Sequence, residues 1–174
     1  MAARLAAEWN DVQVDLVDLS QMPGTSAEVV TLIGSLEHVM APREILEHAH
    51  RILVPNGLLF VYTPVWGVYD TIATLAARVS RNRFTKLADW RVNKTHLQIF
   101  TRSTLLELLR KTGFETLAFE TVCEYHVPVR SYLSAMGLAH PRLQSAAARA
   151  FQFLIDHKLF FQNNMHVLAT KKAP

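Results

Sequence analysis

The chain has 174 residues, half of them hydrophobic and 19% charged, with a net charge of +3 and one cysteine, Cys123. That is enough apolar sequence for one domain with its own core, and it excludes a disordered chain, an intramolecular disulfide and a cysteine-built zinc site. The charge is too mild to argue nucleic-acid binding; no apolar run approaches the roughly 18–20 residues of a membrane span, and the first residues lack the long apolar core of a signal peptide, so the default expectation is a cytoplasmic protein.

Met1–Trp9 is Ala-rich, with Leu5 and Trp9 four apart as on one helix face, and reads as the tail of a helix. Val12, Val14 and Leu16 alternate as a short strand does. An apolar run, Val29 to Ile33, stops at Gly34-Ser35. Ile45, Leu46, Ala49 and Leu53 then recur at helical spacing, with Pro42 suited to the first turn and Pro55-Asn56-Gly57 supplying turn chemistry at the end. A second apolar run, Leu58 to Tyr62, ends at Pro64. Strand, helix, strand with two continuously apolar strands predicts a parallel sheet covered on both faces, and ligands in such sheets bind beyond the carboxyl ends of the strands. Val65–Lys94 carries Val68, Ile72, Leu75, Ala76 and Val79 at helical spacing and a basic side of arginines and lysines. It reads either as a cap over the site with solvated charges or as a surface for an acidic lipid or anionic substrate, which would be a peripheral membrane contact. Thr101 can cap a helix with a Leu105, Leu106, Leu108, Leu109 stripe that Gly113 stops. Phe114–Thr121 and Asn164–Thr170 read as strands, and 127–161 between them as a helical insertion beginning one helix at Pro141. Nothing marks a second domain, so 1–174 is taken as one.

The residues Val29-Val30-Thr31-Leu32, Leu36-Glu37-His38-Val39 with Pro42, and Arg51-Ile52-Leu53-Val54-Pro55-Asn56-Gly57 resemble, in order and spacing, the second half of a class I S-adenosylmethionine-dependent methyltransferase. His96, Phe100, Thr101 and Gly113-Phe114-Glu115 match a further arrangement common in that family, and Glu28 stands where it usually has Asp. The resemblance implies a three-layer α/β/α, Rossmann-like sheet of order 3-2-1-4-5-7-6, here N-terminally incomplete. It implies S-adenosylmethionine as methyl donor and a small-molecule or lipid-like acceptor, with the 127–161 insertion where many relatives build the acceptor pocket. The family's Gly-rich first turn and ribose-binding acid have no counterpart, because all six glycines lie at or after Gly24. The chain alone is therefore expected to bind the cofactor weakly or not at all. A catalytically silent remnant acting through protein contact is the competing expectation, and an apolar Val29–Ile33 edge without its neighbour strand is expected to dimerise, to aggregate or to take up a partner segment.

By the same resemblance, Asp18 and Leu19 hold the adenine, Asp18 through the exocyclic amine and Leu19 through its backbone, with Asp15 the rival acid and a pair of solvated loop acids the plain alternative. Ile33, Gly34 and Ser35 line the cofactor at the strand end. Methyl transfer is an in-line displacement in which the enzyme supplies proximity, orientation and sometimes a base. His38 and His96 are the candidate catalytic groups, with Glu37 beside them; the plainer expectation makes His38 a helix-start residue bonded to backbone and His96 a loop pin. Related ubiquinone-pathway O-methyltransferases bind a divalent cation through Glu-x-x-Glu-His; here the first position is Gly34, one ligand is lost, and no metal is expected. His48 and His50 point to different helix faces and cannot chelate as a pair. Cys123 has no motif around it, and Ser35 lacks the G-x-S-x-G elbow of a hydrolase.

Overall fold

The computed structural model describes residues 18–67, 70–71, 74–75, 96–123, 129–135, 140–157 and 162–172. The expected N-terminal helix, the Val12–Leu16 strand and most of the basic 65–95 segment, with its proposed lipid or substrate surface, lie outside those residues. Among the described residues, no helix is long and apolar enough to cross a membrane.

Strand β1 (Ala27–Ile33) ends at Gly34, whose φ of +56° only glycine adopts freely, and the chain turns into one 3-10 turn at Leu36–His38. Helix α1 (Pro42–Ile52) carries Pro at its first position and buries Leu46, Ala49 and Ile52, one stripe at three-residue spacing. Strand β2 (Leu53–Pro64) follows directly. The turn expected at Pro55–Gly57 is a bulge inside that strand, since Ala27 pairs with Leu53 but Val29 already pairs with Leu58. Asn56 takes φ +63° in the bulge, and a Cβ on Gly57 would lie 2.9 Å from the Val54 carbonyl and 3.1 Å from that of Glu28.

Helix α2 (Arg102–Lys111) starts on a reciprocal cap between Thr101 and Thr104 and gives way to Gly113 at φ +89°. Its stripe is narrower than the four leucines expected: Leu105 and Leu109, four apart, are fully buried, while Leu106 and Leu108 flank them half-buried. Strand β3 (Phe114–Val122) leads to helices α3 (Val129–Ala135) and α4 (Pro141–Asp156), which pack on each other, and the described chain closes on strand β4 (Asn164–Lys171).

The sheet order is β1-β2-β4-β3, parallel for the first pair and antiparallel for the other two. This is the 4-5-7-6 half of the sheet order that the resemblance implies, so the α/β, Rossmann-like expectation holds. Leu59 and Val61 of β2, Met165, Val167 and Ala169 of β4, Leu46 and Ala49 of α1 and Leu105 and Leu109 of α2 form one core. The continuous burial expected of both strands is not found. In β2 only alternate residues are fully buried, and in β1 Val29 and Ile33 are 56% and 63% exposed. The physical reason is that α1 and α2 cover one face of the sheet and β1 is its edge among the described residues.

Candidate active site

The carboxyl ends of β1 and β2 meet a third segment, 96–100. Val65 forms a parallel bridge to Phe100, and the Trp66 N–H donates to the Phe100 carbonyl at 2.8 Å. The N–H groups of Leu97 and Gln98 both donate to the Glu37 carbonyl, at 2.8 and 3.3 Å. The Gln98 amide nitrogen donates to the carbonyls of Leu36 (3.1 Å) and Val39 (2.9 Å), clamping the 3-10 turn from both ends. Sequence reasoning missed Gln98; its position two residues after His96 was the available signal.

This clamp gathers a polar cluster. Glu37 is only 2% exposed, and the Thr63 hydroxyl, itself fully buried, donates to its Oε2 at 3.0 Å. Thr63 was missed as well, although it continues the inward alternation of Leu59 and Val61. Glu37 Oε1 lies 3.9 Å from Nε2 of His38, and the rings of His38 and His96 sit 4.8 Å apart, tilted by 56°. His38 is exposed and His96 half-buried. The two histidines singled out from sequence are thus neighbours, brought together with Glu37 by two separate loops.

Gly34 adjoins the cluster: the direction of its absent side chain opens toward Glu37 Oε1 at 3.6 Å. The Gly34 N–H donates to the Tyr62 carbonyl, which fixes the turn. The Ser35 hydroxyl is buried and has no hydrogen-bond partner among the described residues. Ile33, at the strand end, is exposed.

Asp18 and Leu19 are placed differently. Arg51, on the last turn of α1, donates its Nη2 to the carbonyls of Leu19 (3.0 Å) and Ser20 (3.1 Å) and its Nη1 to that of Met22. The Thr25 N–H donates to the Arg51 carbonyl, so this loop is anchored toward the amino end of β1, set back along the strand from Gly34 and Ser35. Asp18 itself is exposed; the Ser20 hydroxyl and N–H both donate to its Oδ1, and they hold its carboxyl below the ordinary range. Arg51 was quoted only as part of a motif; nothing in its sequence context disclosed that it organises this loop. Cys123 is half-buried and burial pushes its thiol up, the state of an inert thiol. His50 packs against Gly113 and edge-on to Phe114, and His166 pairs with Glu120 across β4 and β3, so neither joins the cluster.

A sheet of this order is that of the methyltransferase class. Residues 3–118 match the family described as Methyltransferase domain, and the chain belongs to it. No curated protein matches it significantly. Among solved structures it is similar to an S-adenosylmethionine-dependent methyltransferase from Mesorhizobium loti, at 17% identity and TM-score 0.54, over 98% of this chain and 75% of that one. It is also similar to the 1,6-didemethyltoxoflavin-N1-methyltransferase of Burkholderia thailandensis, solved with S-adenosylhomocysteine, at 16% identity and TM-score 0.54, over 99% of this chain and 56% of that one. The cyclase SpnF is similar too, at 18% identity and TM-score 0.55, over 99% of this chain. The chain spans 60% of the length of SpnF.

Proposed function

We propose that the chain takes part in S-adenosylmethionine-dependent methyl transfer to a small-molecule or lipid-like acceptor. The observation that carries this reading is the Gly34 turn, with the buried Ser35 hydroxyl beside it and the Glu37–His38–His96 cluster next along the chain. The residues fit the cofactor. Ser35 offers a buried polar atom that lacks a partner among the described residues, and Gly34 lets the backbone turn beside it at φ +56°. The bound sulfonium would supply an electrophilic methyl group. The chain's own work is to orient that group and the acceptor in line, and to take the acceptor's proton at an imidazole nitrogen of His38 or His96. Glu37 lies buried beside His38, its Oε1 3.9 Å from the His38 Nε2.

The test is amide hydrogen exchange on the 174-residue chain with millimolar S-adenosylhomocysteine, a concentration that reads even weak binding. Slower exchange across residues 19–22 and 33–36 supports the reading, as does a greater loss of that protection in Asp18→Ala than in Asp15→Ala. Unchanged exchange along the whole of 18–36 refutes it.

The exposed β1 edge favours a second reading, a remnant that acts by protein contact, with a second copy of the chain as its first partner. Val29 and Ile33 present apolar surface there beside strand backbone that is unpaired among the described residues. Sedimentation that shows a dimer, abolished by Val29→Lys, supports it; a monomer at high concentration rules it out.

A further inference from the structure

We propose that Glu37, His38 and His96 form a binding site for one divalent transition-metal ion of the zinc class. The donors are one carboxylate oxygen and two imidazole nitrogens, all within 4.8 Å of one another. The proposal rests on that donor geometry and not on methyl transfer, so either can fail alone; an ion held by both histidines takes the place of the imidazole base.

The sequence expectation of no metal came from counting donors along one run, which Gly34 interrupts. The structure draws the third donor from a different loop. The hydrogen bonds from Leu97, Gln98 N and Gln98 Nε2 hold the 96–98 segment against the 3-10 turn through backbone carbonyls alone, so the three side chains share one place without an ion to gather them. Such prior positioning is what a metal site needs.

The chemistry selects the ion. A carboxylate at 2% exposure needs a compensating positive charge. Thr63 gives one hydroxyl to Oε2, while Oε1 faces His38. Two imidazoles and one carboxylate are the donor set that zinc and the borderline first-row ions take, whereas magnesium and calcium prefer oxygen throughout. Bond lengths of about 2.0–2.2 Å put donors about 3.3–3.6 Å apart around a tetrahedral ion. Closing the present separations needs a movement of about 1 Å, which the His38 side chain, 39% exposed, can make by rotation. That exposure also gives the ion a path in.

Cobalt(II) is the probe, added to the full chain after treatment with a chelator. The expected result is one ion bound per chain, with visible d–d bands of a four- or five-coordinate site, displaced by zinc and retained against excess magnesium. His38→Ala, His96→Ala and Glu37→Gln each weaken cobalt binding by at least about tenfold, while His157→Ala at the C-cap of α4 leaves it unchanged. If Glu37→Gln fails to fold, His38→Ala carries the test, because its exposed side chain contributes least to packing. Unchanged affinity in both histidine variants overturns the proposal, as does a weak six-coordinate spectrum alone.

Discussion

Replacing Arg51 with alanine should loosen the 18–24 loop and lower the stability of the whole domain. One guanidinium serves three carbonyls, those of Leu19, Ser20 and Met22, and all three bonds vanish together. A hydrogen bond from a charged donor contributes roughly 1.5–3 kcal/mol when buried, but these are part-buried or exposed and share one group, so the loss should total about 2–3 kcal/mol. For a chain of this size that lowers Tm by about 4–10 °C. The backbone bonds from Thr25 to the Arg51 carbonyl and from Ser26 to that of Ile52 survive the substitution, so β1 stays paired in the folded state and the local opening is greatest in the loop. Amide exchange should therefore rise most at Gln21 and its neighbours, and at Leu59 and Val167 only by as much as the global loss requires. Arg51→Lys should recover only part of the loss, because a single ammonium lacks the planar fork that spans three acceptors. If Arg51→Ala melts with the parent and the loop amides exchange no faster, the guanidinium is not what holds this loop.

Gly57→Ala should cost roughly 1–3 kcal/mol in a urea melt, because the new methyl meets two backbone carbonyls that cannot move without breaking the β1–β2 register. A neutral result would mean the bulge is free to reshape. His50 predicts the acid side of the stability profile. Burial first, then the Lys171 ammonium, lowers its pKa below the ordinary 6.5, opposed in part by the Gly113 backbone. The unfolded chain then takes up the proton more readily than the folded one, so stability is full above about pH 6.5 and declines as pH falls from there toward the folded value. His50→Gln should flatten that part of the profile in melts taken between pH 7 and 5; an unaltered slope would assign the loss to other groups.

Local chemistry made the element order legible in the sequence. Pro42 and Pro141 open helices where a missing N–H costs nothing, Thr101 caps α2, and Gly113 stops it in a conformation that L side chains resist. These are short-range effects, carried by residues within a turn of the boundary they set. Alternation alone did not reveal that β1 is an edge among the described residues or that β2 is fully buried only at alternate residues, since exposure depends on which helices cover which face. The Gly57 bulge was readable only as a turn, because the same Pro-Asn-Gly chemistry serves both. The site divides the same way. His38 and His96 stood out as polar groups after apolar runs, but their contact, the Thr63 hydroxyl on Glu37, the Gln98 clamp and the Arg51 anchor all join residues at least 26 positions apart. Sequence determines which donors and acceptors exist and which local turns they favour; only the closed sheet, by bringing strand ends and loops to one place, decides which of them meet.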